Sequence, residues 1–175
     1  MDSAKSYHTW ISECFPEEIR VADRFLGQWL VIDALQEVRK TIQRELLPRA
    51  KAWLKTNHLL LNPLEESLSV ESKKTLEELL GYSPLLRKCW EWKEAFTTWY
   101  NDSPNTEVAT HGFKSWFEQG DKIDHETVKS GLKSMRKWKN EIINYHRCRW
   151  TNATVEVVII VSKLINIVIA SHVIV

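Results

Sequence analysis

A chain of 175 residues has room for one domain with a substantial core and little for a second. Its formal charge of +1 gives no global attraction to nucleic acid or membrane, so any such preference has to be local. Three cysteines, odd in number and far apart, argue against a disulfide framework and for reduced thiols in a cytoplasmic location, and the opening MDSAKSYHTW lacks the apolar run of a signal peptide.

Taken in chain order, the spacing of Tyr7, Trp10, Ile11 and Cys14 predicts a helix over residues 3–14. After the break at FPEE, Ile19, Val21 and Ala22 alternate with polar groups and predict a short strand over residues 19–23. Across residues 25–47 a stripe of Trp29, Ile32, Leu35, Val38, Ile42 and Leu46 predicts a long amphipathic helix. Pro48 ends or kinks it, and RAKAWLKTNHLLL adds a further helical piece before the loop-like NPLEESLSVES. A short helix is expected over residues 71–80, with Gly81 just past its end. Ser83 and Pro84 have the order of an N-cap and a first helical residue, and open the next helix. Two more helices are expected, over residues 107–119 and 126–146.

The chemistry on offer is sparse. Five scattered glycines make no phosphate-cradling loop. His146 and Cys148 sit two apart, but a zinc site takes about four ligands and no second pair is near in sequence. His8, His58, His111, His125 and His172 are isolated, so each reads as a satisfied or solvated side chain. Nine tryptophans suit core anchors and stacking platforms equally. The stretch KSGLKSMRKWKNEIINYHRCRW stands out, because Lys129, Lys133, Arg136, Lys137, Lys139, Arg147 and Arg149 cluster there with Trp138 and Trp150 interleaved. Basic groups neutralise phosphates and aromatics stack on bases. The same pattern describes a solvated helix face with Trp138, Ile142 and Tyr145 turned to a core, and the residues alone leave both readings open.

Three segments in order carry a family likeness. The stretch KWKNEIINYHRCRWTNATVE has Trp138, Glu141, Ile142, Asn144, Tyr145, Arg149, Thr151, Asn152, Val155 and Glu156 in matching places. MDSAKSY matches with Asp2 and Tyr7, VADRF matches at residues 21–25, and LLRKCWEWKEAF matches between them and the end. The chain in this respect resembles the DDE transposases of bacterial insertion sequences, the ISL3 family. The resemblance implies metal-dependent DNA cleavage and strand transfer: two Asp and one Glu on an RNase H-like sheet hold two Mg²⁺ ions that activate the nucleophile and stabilise the leaving oxygen. Carried over, Asp2 is the second catalytic and metal-binding carboxylate and Glu156 the third. Residues 1–25 would be a remnant of the RNase H-like core, 26–148 a helical insertion domain, and 149–175 the catalytic-Glu segment with an apolar tail. The fold expected is mainly α with a short strand remnant. The DNA-binding set would be Lys133, Arg136, Lys137, Lys139, Arg147, Arg149 and Asn152, and the partners transposon-end DNA and a second copy of the chain.

The departures from the pattern shape the functional expectation. The first catalytic Asp is not found in this sequence, Leu26 stands where the family has His, and the Gly-x-Asn-Asn-x-Ile-Lys motif does not follow Glu156. A truncated, inactive remnant that binds no Mg²⁺ is therefore expected, with a non-catalytic helical module binding DNA or protein as the alternative. The tail VVIIVSKLINIVIASHVIV has a separate reading. Val and Ile codons, shifted by one base, become codons for Arg, Asn, Tyr and His, and restoring one base after Glu156 permits the missing motif. A single-base deletion is expected there. A membrane span takes about 17 to 25 apolar residues, but Ser162, Lys163, Asn166, Ser171 and His172 interrupt this run. A central Lys costs roughly 2.5–3.5 kcal/mol, so a membrane anchor is not expected. Residues 154–169 are expected to be helical.

Overall fold

Local signals set most of the helix boundaries. The computed structural model describes residues 21, 22 and 24–148. Helix α1 spans Arg24–Glu45, and α2 spans Pro48–Asn57 with its proline at the first helical position, where the missing N–H costs nothing. Two 3₁₀ turns, His58–Leu61 and Glu65–Ser67, carry the chain to α3, Val70–Leu80. Ser69 caps α3 by accepting the Ser72 N–H at 3.2 Å. Gly81 follows it, but with φ −67° it continues in right-handed geometry. Helix α4, Pro84–Asp102, starts behind Ser83, whose Oγ accepts the Leu85 N–H. Helix α5, Thr106–Asp121, starts behind Asn105, whose Oδ1 accepts from both Glu107 and Val108. Helices α6, Glu126–Lys137, and α7, Lys139–Cys148, complete the order.

The core forms where α4 packs between α1 and α5. Leu35 and Val38 of α1 and Leu86, Cys89 and Phe96 of α4 are all but fully buried. Trp92 of α4 and Trp116 of α5 stack with ring centroids 4.8 Å apart, and the Trp116 indole donates to the Trp92 carbonyl at 3.0 Å. Trp99 packs against Phe96 and Phe113 and donates its indole N–H to the Ala109 carbonyl at 2.9 Å. Four tryptophans, Trp90, Trp92, Trp99 and Trp116, are thus core anchors. The two helices approach closely because Gly112 has no side chain: a Cβ there would lie 2.3 Å from Trp99 Cδ1. Trp29 departs from the predicted stripe. The buried face of α1 runs through Gly27, Val31, Ala34, Leu35, Val38 and Ile42, which turns Trp29 outward at 60% exposure.

The expected strand remnant is corrected. Among the described residues every regular element is a helix, and no RNase H-like remnant is found. Val21 and Ala22 form no strand, and the Ala22 N–H donates to the Glu141 carbonyl of α7 at 2.9 Å. A helix thus supplies an acceptor to a segment expected to be a strand without sheet partners. The fold class is therefore all-α over the described residues. Ile19, Arg20 and Asp23, the helix expected over 3–14, and the helix expected over 154–169 lie outside them. The single helix expected over 126–146 is also corrected: it breaks at Trp138, with φ −101° and ψ 12°. The break lets α6 lie along α1 while α7 turns onto α5.

Candidate nucleic-acid interface

Helices α6 and α7 carry the basic stretch singled out in the sequence. Val128, Leu132 and Met135 recur at helical spacing and are buried, which turns the intervening basic residues of α6 outward. Lys133, Arg136, Lys137 and Lys139 are all exposed, as is Arg147 on α7. The Arg136 guanidinium sits 4.6 Å from the centre of the Phe117 ring, a cation–π contact that holds it at the edge of the bundle. Lys129 differs from its neighbours. It bonds Asp124 at 2.6 Å with Glu126 at 4.0 Å, and the hydrogen bond holds Asp124 below and Lys129 above their ordinary values. Lys133, Lys137, Lys139 and Arg147 pair with no carboxylate among the described residues.

Among the described residues of this stretch, Trp138, Ile142 and Tyr145 face inward. Ile142 is buried, Tyr145 packs its ring 4.6 Å from that of Tyr100, and Trp138 is half-buried against the core. That geometry suits contacts to phosphates better than base stacking by Trp138. His146 is a core residue, with Nδ1 3.3 Å from the Ser103 carbonyl and its ring 5.3 Å from Trp99. Cys89 is buried, and burial pushes its thiol up to about 12, which leaves no reactive thiolate near neutral pH. Asp2, Arg149, Trp150, Asn152 and Glu156 lie outside the described residues. Among the described residues no group of three or more His, Cys, Asp or Glu side chains could hold a metal ion.

A second concentration of basic groups was missed by reading along the chain. Arg39, Lys40 and Arg44 of α1 face Lys51 and Lys55 of α2, with His58 just beyond, around an open cleft of about 330 Å³. The available signal was like charge at helical spacing, Lys40 with Arg44 and Lys51 with Lys55. It lies in two helices rather than one dense run.

In comparison with protein families, residues 1–165 match a family described as transposase. Comparison with curated proteins and with solved structures gives none.

Proposed function

Because the chain belongs to the DDE transposases of the ISL3 type, we propose that it acts in DNA transposition by holding DNA on the basic edge of α6 and α7. The family match across residues 1–165 carries this reading. The exposed side chains of Lys133, Arg136, Lys137, Lys139 and Arg147 support it, and Arg149 and Asn152 extend the same set along the sequence. Transposon-end DNA is the proposed ligand. In the same proposal Asp2 and Glu156 are metal-binding carboxylates, for which Mg²⁺ is the matching hard cation. They are two of the three carboxylates that such chemistry takes, so the 175-residue chain by itself binds DNA without cutting it.

Fluorescence anisotropy of a labelled DNA duplex, read at several salt concentrations, tests the binding. Each phosphate neutralised contributes about −0.9 to the slope of log affinity against log salt, so five contacts give a slope near −4 to −5. Replacing Lys133, Arg136 and Lys137 together by alanine is expected to lower that slope by about 2 to 3. Binding that ignores salt, or is absent, removes the proposal. Nicking of supercoiled plasmid by the chain with Mg²⁺ would contradict its second half.

A further inference from the structure

The cleft between α1 and α2 holds cations in an arrangement that stability does not explain. Arg39 is only 7% exposed and its direct hydrogen-bond partners are neutral: Nε donates to Gln36 Oε1 at 3.0 Å and Nη1 donates to Gln43 Oε1, while the one carboxylate that acts on it, Glu37, is bonded to Lys40. Gln36 in turn donates to Asn62 Oδ1 at 2.7 Å and to the His58 carbonyl at 3.3 Å, which ties the floor of the cleft to the turn after α2. Nη2 of Arg39 makes no hydrogen bond among the described residues. Burial disfavours the charged guanidinium, and Glu37 offsets this only in part. Above this floor Arg44, Lys51 and Lys55 are exposed and pair with no carboxylate among the described residues, and only Lys40 is bonded, to Glu37. Like charges at i, i+4 add repulsion to each helix.

We propose that this cleft seats the phosphate backbone of DNA as a second contact surface, distinct from the edge of α6 and α7. This inference rests on the DNA-holding function proposed above. An anionic ligand offsets the excess of cations around the cleft, where Glu37 is shared between Lys40 and Arg39 while Arg44, Lys51 and Lys55 pair with no carboxylate among the described residues. The shape favours a polymer over a single ion: from Lys51 to His58 the row spans about 10 Å of helix, which along a duplex passes about three phosphates of one strand. The two surfaces are well separated. Gly27 near the start of α1 lies beside Met135 of α6, whereas Thr41 lies beside His125 at the other end of α6, 3.4 Å away. Fourteen residues of helix put about 20 Å between those points.

The test uses the full chain, the same duplex and the same salt series. Replacing Arg44, Lys51 and Lys55 together by alanine is expected to lower the slope by about 2 to 3, because each lost phosphate contact removes about 0.9. A control with Lys74, Lys114 and Lys122 replaced by alanine removes equal charge elsewhere and is expected to change it by less than about 1. The Lys51→Arg/Lys55→Arg variant, which keeps both charges, is expected to bind as the parent does. Thermal melting confirms that each variant is folded, and Lys55→Glu alone repeats the test if the triple variant is not. An equal change in the control overturns a localised site. An unchanged slope in the cleft variant, with the Lys133/Arg136/Lys137 variant still impaired, overturns this inference alone. Absence of salt-sensitive binding by the parent chain removes the proposed function as well. Capture of phosphatidylserine vesicles that depends on the cleft, with DNA binding unaffected, assigns it to a membrane surface and overturns the DNA reading.

Discussion

Cys89 and Lys93 lie one helical turn apart on α4 and respond to burial in opposite directions. Burial pushes the Cys89 thiol from its ordinary 9.0 up to about 12. The folded state therefore holds that proton more tightly than the unfolded chain does. The stability this contributes is intact below pH 9 and lost as pH rises from 9 toward 12, by about 1.4 kcal/mol per unit. Burial lowers Lys93, while its hydrogen bond and ion pair with Glu94 oppose the shift. Its contribution is complete above the ordinary lysine value and falls away as pH drops through the lowered one, so it runs against the thiol in the same alkaline range. The comparison with Cys89→Ala isolates the thiol. Between pH 7 and 10.5 urea denaturation is expected to show the parent losing more stability than the variant, by about 2 kcal/mol. Equal losses would mean that the thiol ionises freely in the folded chain. The sequence showed an unpaired cysteine, but its depth depends on α1 and α5 packing over α4. Lys93 was equally opaque, because nothing local marks a lysine that reaches the Pro63 carbonyl at 2.8 Å beneath the surface.

Helix packing is most exposed to test where α5 meets α4. A Gly-to-Ala change inside a helix ordinarily stabilises by about 0.4–1 kcal/mol. At Gly112 the new methyl would meet Trp99 Cδ1 at 2.3 Å and Nε1 at 2.7 Å, and that ring is held by its bond to Ala109. Overpacking of this kind costs about 1–3 kcal/mol, so Gly112→Ala is expected to be destabilising by about 1–2 kcal/mol net. Gly131→Ala on α6 is the contrasting case. Its nearest neighbour would be the Leu30 carbonyl at 3.8 Å, ordinary contact, and a small gain is expected. Thermal or urea denaturation of both variants checks the pair, and a stabilised Gly112→Ala would show that the two helices can separate cheaply. Element boundaries were legible where a cap or a proline stood at the end, as at Ser83 with Pro84 and at Pro48. The break at Trp138 was not, since no Gly or Pro marks it and the apolar period continues through Ile142. The alternation of Ile19, Val21 and Ala22 failed for a related reason. A period of two proposes a strand, but the acceptor that reaches the Ala22 N–H belongs to a helix.

In the molecule as a whole, the features legible in the sequence are those whose residues lie close together along it. The basic edge of α6 and α7 is one dense run, and its residues were named from the sequence. The cleft between α1 and α2 draws its cations from two helices and needed the fold to bring them together. The family likeness rests on segments near both ends of the chain and on residues 85–96 of α4, and the match over residues 1–165 bears it out. The tail after Glu156 is a separate case, because the codon table offers a source for its apolar character that does not involve burial. If one base is missing directly after the codon for Glu156, restoring it should convert the codons of residues 157–163 into Gly-x-Asn-Asn-x-Ile-Lys. A match that continues to residue 165 brings the first part of this segment under the same comparison, so the encoding DNA is the decisive measurement. The motif in the shifted frame makes the Val- and Ile-rich run the product of a deletion. Its absence makes residues 157–165 family sequence in their own right, and their apolar side chains would then need a structural cause. The restored frame also changes the charge argument. It would replace apolar residues by basic and Asn-rich ones next to Arg149 and Asn152, and the repaired chain should therefore bind the duplex with a steeper salt dependence than the present one.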